Sequence, residues 1–404
     1  MVLPFRVNRY VLDELIDWDA APDDPLYRTF FPRPELLAPE LLAPLVKALS
    51  GGATDAECAP LVRRARTALN PNPAGQLDNV PTLDGERLVE LQHKYRETVL
   101  YFPSQGQQCH VYCAYCFRWS QFVPTGQPRF TGARADRLAA YVARHPEVQD
   151  VLFTGGDPLF MRTAILRRHI LPLLRIPHLR TVRIGTKALA AWPARFTTGA
   201  DADDLMRLLE EVRDAGKHVA IVGHSVHPRE LGTATARAAA RRLASTGASL
   251  WGQGPILRGV NDDGATLADL WRAQVSLGIR PYYAFVARNT GAERAFTLPL
   301  RRALDVVQSA RRRVSGLARA ARGPVMSSGP GKVLLQGTAR ANGEDALVLS
   351  LLQARDPALV GATALATGPA DATWLDQLRP IGSDFFPWEQ SIRSDKHAAT
   401  TCAE

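Results

Sequence analysis

The chain has 404 residues, which is long enough for one large catalytic domain with extensions or for two domains. No run approaches the roughly 20 apolar residues of a membrane helix, and the N-terminus carries acidic residues where a signal peptide has its apolar core, so we expect a cytoplasmic protein. The net charge is +9, but the basic residues are not interleaved with aromatic residues and form no recognised binding motif, so no nucleic-acid partner is expected.

Residues 1–92 are predicted to form a helical, loop-rich extension at the start of the chain. Two segments within it, residues 35–51 and 54–70, place apolar side chains at the spacing of amphipathic helices. No internal repeat or low-complexity tract occurs here or later in the sequence.

A different pattern fills residues 93–295, where short apolar and β-branched runs alternate with helix-like segments. Six strands that alternate with helices predict a parallel sheet, and six are too few for a complete (β/α)8 barrel. The predicted fold class is therefore α/β, with a partial (β/α)6 TIM-like barrel followed by a C-terminal region, residues 296–404. The predicted strands are residues 99–105, 150–156, 182–187, 218–225, 249–257 and 281–287.

Three of the five cysteines, Cys109, Cys113 and Cys116, fall within eight residues directly after the first predicted strand. Three thiolates on one loop can hold three irons of a cubane cluster and leave the fourth iron for a small molecule. A zinc site with a histidine as fourth ligand is the alternative, but structural zinc usually needs two cysteine pairs, and Cys58 and Cys402 are isolated. A non-enzymatic iron-sulfur or zinc protein remains the minor alternative.

The spacing Cys-x3-Cys-x2-Cys, with the aromatic Tyr115 before the last cysteine, is the signature of radical S-adenosylmethionine (SAM) enzymes and predicts a [4Fe-4S] cluster. A second motif, Thr-Gly-Gly-Asp-Pro, ends the second predicted strand. Gly155 and Gly156 permit close approach of a ligand to the backbone, and Asp157 can accept a hydrogen bond from the amino group of SAM. We therefore predict that these residues and Tyr115 bind the cofactor.

From about residue 85 to about residue 335 the sequence resembles the lysine 2,3-aminomutase family, whose members are radical SAM enzymes that use pyridoxal phosphate (PLP). The resemblance implies three cofactors (the cluster, SAM and PLP), a free amino acid as substrate, and an external electron donor of the flavodoxin or ferredoxin type. It leaves homo-oligomerisation open. The motifs that carry it, in the order of the family, are HKYRETVL, CHVYCAYCFR, VLFTGGDPLF, VRIGTK, HSVHP, ILRGVND, RPYY and the Gly-Pro-Gly-Lys of residues 329–332.

The resemblance also implies roles for individual residues. Lys332 corresponds to the lysine that holds PLP as a Schiff base, and a flexible glycine-rich loop would bring its amine to the cofactor. Arg118 corresponds to the ligand of the substrate carboxylate, which suits a guanidinium fork. Lys94 and Gln253 match contacts to the PLP phosphate, and His224 matches a position near PLP.

The substrate side chain is where the sequence departs most from the family. Lysine-specific members hold the distal amine with two aspartates, and this chain has Arg288 and Val325 at those positions. Arg288 would repel a distal ammonium group at close range. The predicted function is 2,3-migration of the α-amino group of a non-lysine substrate, with glutamate as the leading candidate and a neutral or hydroxylated amino acid as the alternative. The alternative function is a radical SAM epimerisation, dehydrogenation or elimination on an amino acid.

Overall fold

The computed structural model describes residues 1–70, 76–125, 129–341 and 343–389. The helices predicted for residues 35–51 and 54–70 are confirmed, and the second begins with a capping box between Thr54 and Glu57. No helix in these ranges is long and apolar enough to cross a bilayer. The N-terminal elements are a π-helical turn (Val11–Leu15), α1 (Pro25–Phe30), α2 (Pro39–Ser50) and α3 (Asp55–Ala68).

Three short strands precede the barrel. β1 (Thr82–Leu83) pairs with β2 (Glu86–Arg87), and β3 (Leu91–Tyr95) pairs antiparallel with the first barrel strand. The prediction of helices and loops up to residue 92 is therefore wrong for these strands. Strands of two residues are too short to show an alternating pattern, and β3 contains no β-branched residue that would indicate a strand.

Seven parallel strands form the barrel, and neighbouring strands in the sequence are neighbours in the sheet. They are β4 (Thr98–Tyr101), β5 (Asp150–Phe153), β6 (Thr181–Thr186), β7 (His218–His224), β8 (Ser249–Ile256), β9 (Ile279–Val286) and β10 (Arg322–Ser327). The six predicted strands are confirmed as β4–β9. The seventh strand, β10, was not predicted, because the glycine and proline in its sequence RGPVMS weaken the strand pattern.

Helices pack on the outer face of the barrel and confirm the predicted partial (β/α)6 architecture. In the helix of residues 202–214, for example, Leu205, Leu209 and Val212 are buried against the sheet, while Asp203 and Asp204 face solvent. The helices are α4 (Ala135–Ala143), α5 (Thr163–Leu174), α6 (Ala188–Ala191), α7 (Ala194–Thr197), α8 (Ala202–Asp214), α9 (Arg229–Gly232), α10 (Ala234–Ser245), α11 (Gly264–Ser276), α12 (Glu293–Phe296) and α13 (Leu300–Arg312).

The barrel sheet continues into the C-terminal region. Together with β3 and the seven barrel strands, four antiparallel strands make a sheet of twelve strands, and one side of the added strands shares a hydrophobic core with β10. The turn between β10 and the next strand lies beside β3, so it crosses the open side of the partial barrel. The added strands are β11 (Gly331–Ala341), β12 (Glu344–Ala354), β13 (Thr363–Thr367) and β14 (Arg379–Pro380).

Candidate active site

The three clustered cysteines lie on the loop after β4, at the carboxyl ends of the barrel strands. Burial raises the pKa of each thiol, that of Cys116 to about 12, and the thiols also act electrostatically on one another. Opposing cations lie close, Arg6 beside Cys109 and Lys187 beside Cys113. Within the described residues no three His, Cys, Asp or Glu side chains converge as ligands of a single ion do. A cubane, by contrast, places its three thiolates on three different irons.

The two glycines of the second motif are required by the cysteine loop itself. A Cβ atom on Gly155 would clash with the Gln107 side chain, and one on Gly156 would clash with the backbone of Gln108. The amide of Asp157 donates a hydrogen bond of 2.7 Å to the Gln108 carbonyl. The backbone of the cysteine loop thus approaches Gly156 closely and lies against the end of β5. Contact of the two glycines with SAM stays a prediction.

Asp157 is 3% exposed, and protein donors already occupy its carboxylate. The hydroxyl of Thr186 donates to both oxygens at 2.8 and 2.9 Å, and the amides of Lys187 and Leu159 donate at 2.8 and 3.0 Å. The predicted bond to the amino group of SAM would be made in addition to these. The placement favours a positioning role for Asp157, which joins the ends of β5 and β6 beneath the cysteine loop.

Two predicted cofactor residues, Tyr115 and His224, meet beside the cluster loop. The Tyr115 hydroxyl lies 2.8 Å from His224 Nε2, and it also lies within hydrogen-bonding reach of the Cys113 thiol. Burial, together with the positive charge of Lys187, lowers the pKa of His224 to about 3. The imidazole is therefore neutral, and it can exchange one hydrogen bond with the tyrosine.

Lys332 lies inside the barrel on the second residue of β11. Its ammonium faces the rings of Tyr95 and Tyr283, with Nζ at 4.7 and 5.3 Å from the ring centroids, and it donates to Gln353 Oε1. Burial is the main cause that lowers the pKa of Lys332 to about 7. A substantial fraction of this amine is therefore neutral near pH 7, as a nucleophilic lysine requires.

The segment before Lys332 is a tight turn that joins the antiparallel strands β10 and β11. Ser327 pairs with Lys332 across the turn, and the amide of Ser328 donates to the Gly331 carbonyl at 2.9 Å. A Cβ atom on Gly331 would clash with the Gln353 carbonyl of β12. Strand pairing on both sides of β11 thus fixes the lysine in place.

Lys94 and Gln253, the predicted phosphate contacts, also lie inside the barrel. Lys94 Nζ donates to the Ser328 carbonyl, and burial followed by the charges of Arg355 and Arg288 lowers its pKa to about 7. Gln253 is half-buried on β8, and its side chain makes no hydrogen bond to any described residue. It pairs with His224 on β7 and with Tyr283 on β9, next to the Lys332 amine.

Arg118 is partly buried beside the cluster loop and has no acidic partner among the described residues. Its guanidinium carbon lies 4.7 Å from the ring centroid of Phe102 and 5.1 Å from that of Phe117. Nη1 is buried and makes no hydrogen bond. Burial is the first cause that lowers the pKa of Arg118 to about 10, and the charge of Arg288 acts in the same direction.

Arg288 follows β9 and shares the Phe117 ring with Arg118. Its guanidinium carbon lies 5.6 Å from the centroid of Phe117 and 5.4 Å from that of Trp374. Nη1 donates to the Ser327 carbonyl at 2.7 Å, but Nε is buried and has no hydrogen-bond partner. Burial lowers the pKa of Arg288 to about 10. Arg288 makes no ion pair with an acid in the part of the chain that the structure describes. Val325 is fully buried on β10.

Several residues around the site were not predicted from the sequence. Tyr95 and Tyr283 surround the Lys332 amine, and Trp374 covers Arg288. The Lys187 ammonium lies beside Cys113. The sequence included Lys187 only as the last residue of the VRIGTK motif and predicted no role for it. Aromatic residues that contact cations could not be identified from the sequence, because each contact joins residues that are far apart along the chain.

The donor set fits the implied cofactors. The three thiols sit on one loop at the carboxyl ends of the strands, where an iron-sulfur cluster needs them. Four partly buried cations, Lys94, Arg118, Arg288 and Lys332, make no ion pair with a described acid. Buried charges require neutralisation, so this interior suits a phosphate and carboxylates.

A cysteine loop of this spacing at the end of the first strand of a partial barrel defines the radical SAM class. No family model matches the chain. A putative L-lysine 2,3-aminomutase of Aquifex aeolicus is 31% identical over 382 residues, which cover 94% of this chain and 89% of that protein. The L-lysine 2,3-aminomutase of Bacillus subtilis is 30% identical over 61% of this chain, but the matching region spans only half of that relative.

The chain belongs to the lysine 2,3-aminomutase family. It is therefore a radical SAM isomerase of the aminomutase type, and the cofactors of this family are a [4Fe-4S] cluster, SAM and PLP. Among solved structures, that of Streptococcus suis SuiB bound to the precursor peptide SuiA covers 70% of this chain and 62% of its own, with 13% identity and a TM-score of 0.40. This TM-score is too low for the SuiB structure to serve as a guide to the fold of this chain.

Proposed function

We propose that the protein moves the α-amino group of a free acidic amino acid, with glutamate as the leading candidate, from carbon 2 to carbon 3. The observation that carries this proposal is the pair of partly buried guanidinium groups of Arg118 and Arg288. Both contact the ring of Phe117, both keep a buried N–H without an acceptor, and neither pairs with a described acid.

Two carboxylates would satisfy this pair. Arg118 would bind the α-carboxylate and Arg288 the carboxylate of the side chain, each with the planar fork that matches such a group. A substrate with one carboxylate and a distal ammonium would leave Arg288 unpaired and would add a like charge beside it. The interior cations thus favour a dianionic substrate over lysine.

When bound, the cluster and SAM supply the radical, and PLP supplies the group that carries the migrating nitrogen. Cys109, Cys113 and Cys116 would hold the cluster, and Lys332 would attach PLP through an amine that burial keeps partly neutral. Lys94 would bind the phosphate. The remaining work of the chain is to orient the substrate with its arginines and to exclude water by closing the open side of the barrel with the β10–β11 turn.

Turnover of an amino acid panel tests the proposal. The reconstituted protein is incubated anaerobically with SAM, reductant, PLP and glutamate, aspartate, lysine, arginine or alanine, and the Cys113→Ala variant serves as the inactive control. We expect the β-amino isomer of glutamate to accumulate fastest. Efficient lysine turnover would contradict the assigned substrate, whereas epimerised, dehydrogenated or cleaved products would contradict the mutase outcome.

A further inference from the structure

A cleft of about 440 Å³ lies outside the barrel, between the N-terminal segment and the loops after β8 and β9. This volume is in the range of small-molecule sites. None of the cluster, PLP or substrate residues assigned above lines it. Its charged lining consists of Arg28, Arg33, Arg258, Arg294, Asp23 and Glu35.

The cleft carries an excess of positive charge. Four arginines face two acids, which leaves two positive charges uncompensated. Arg28 pairs with Asp23, and Arg33 Nη1 lies 3.7 Å from Glu35 Oε2. The exposed side chains of the other two arginines, which follow β8 and β9, make no ion pair or hydrogen bond with any described residue. Two guanidinium groups are therefore free to bind an anion.

Arg33 supplies a second, independent sign of a ligand. Its side chain is only 8% exposed, and its Nε is buried without a hydrogen-bond partner. Its guanidinium carbon lies 5.9 Å from the ring centroid of Phe296, so the fork is held against an aromatic face. Burial, and next the charge of Arg28, lower its pKa. An unpaired buried N–H is costly, and an anion in the cleft that draws the Arg33 fork toward it would give this N–H an acceptor.

We propose that this cleft binds a phosphorylated small molecule that carries at least two negative charges. Phosphate oxygens match the geometry of the guanidinium fork, and a dianion would balance the two excess charges. Arg33 comes from the N-terminal segment, Arg258 from the loop after β8 and Arg294 from the helix after β9. The ligand would therefore join three separate parts of the chain, and this site does not rest on the substrate proposed above.

Calorimetric titration with pyrophosphate, and separately with inorganic phosphate, tests the site. The protein is first saturated with PLP, so that the phosphate contacts inside the barrel are occupied, and low salt is used because screening weakens exposed charges. We expect one equivalent of pyrophosphate to bind the wild type. The Arg33→Gln and Arg258→Gln variants should each bind about tenfold more weakly or worse, because each loses a charge-assisted hydrogen bond.

The matched control is Arg312→Gln, which removes the same charge from the exposed end of α13, where the side chain makes no ion pair or hydrogen bond with a described residue. It should bind like the wild type. Arg33→Lys keeps the charge but loses the fork, and we expect it to bind more weakly than the wild type while its thermal unfolding stays unchanged. No binding to the wild type, unchanged binding in both cleft variants, or an equal loss in Arg312→Gln would each overturn the proposal.

Discussion

The Lys187 ammonium and the Glu230 carboxylate form an ion pair in which the carboxylate is completely buried. Glu230 also accepts hydrogen bonds from the amides of Val226 and His227. Burial lowers the pKa of Lys187, but the charges of Glu230 and of the Cys113 thiolate outweigh it, so the pKa is raised overall. The pair thus fixes a positive charge beside one cysteine of the cluster loop.

Removal of the acid from this pair should destabilise the protein strongly. The Glu230→Gln variant leaves the Lys187 charge buried without a partner, and we expect the free energy of unfolding to fall by about 3–5 kcal/mol in urea denaturation. The double variant Lys187→Met/Glu230→Gln should recover part of this loss, because no charge is left behind. Equal stability of Glu230→Gln and the wild type would show that the pair contributes nothing.

Each cysteine of the loop should be essential for the cluster. We expect Cys109→Ala, Cys113→Ala and Cys116→Ala to lose most of the iron bound after anaerobic reconstitution, because three irons need three thiolates. Cys58→Ala is the control, since Cys58 is buried in α3 and is not part of the cysteine loop, and this variant should bind iron normally. Full iron content and SAM cleavage in any of the three loop variants would contradict the assignment.

The sequence was most informative where the chemistry depends on local spacing. The cysteine motif placed the cluster loop correctly after β4, and the apolar runs gave six of the seven parallel strands. It was least informative where contacts join distant segments. Trp374 reaches Arg288 only because β11–β14 extend the barrel sheet, and Lys332 lies in a strand that β10 and β12 flank on both sides. Such tertiary contacts leave no periodic signal in one sequence.

Lys332 should attach PLP with a pH dependence that distinguishes it from a surface lysine. Burial lowers its pKa to about 7, helped by the charges of Arg183, Lys94 and Arg322 and opposed by Asp150. Only the neutral amine attacks a carbonyl, so the rate of attachment should rise with pH up to about 7 and then level off. An ordinary lysine, with a pKa of 10.5, would still gain rate at pH 9.

The rate is followed by the absorption band of the linked cofactor after mixing with PLP. Lys332→Ala should show no such band. Lys94→Met removes a neighbouring positive charge, so the pKa of Lys332 should rise and the midpoint of the rate profile should move to higher pH. A midpoint above pH 9 in the wild type, or a band that persists in Lys332→Ala, would exclude Lys332 as the attachment site.

Arg118 should contribute to substrate binding through its unpaired fork. In Arg118→Ala, we expect kcat/KM to fall by the equivalent of about 2–5 kcal/mol, because a desolvated charge pair with the carboxylate is lost. Arg118→Lys keeps the charge without the fork and should fall less. Because Arg118 lies two residues after Cys116, the iron content of both variants must first match the wild type. Wild-type turnover in Arg118→Ala would remove this role.

Arg288 should set the preference for the substrate side chain. It lies partly buried between Phe117 and Trp374 and pairs with no described acid, so its charge favours a side-chain carboxylate and disfavours an ammonium. We expect Arg288→Met to reduce glutamate turnover and to leave alanine turnover nearly unchanged. Arg288→Asp should reduce glutamate turnover further, because the new carboxylate repels that of the substrate, and should raise the relative rate with lysine. The ratio of kcat/KM values for glutamate and lysine in the three proteins measures this preference. If the ratio is the same in all three, Arg288 does not face the substrate side chain, and the buried guanidinium serves only the contacts with Ser327 and the two aromatic rings.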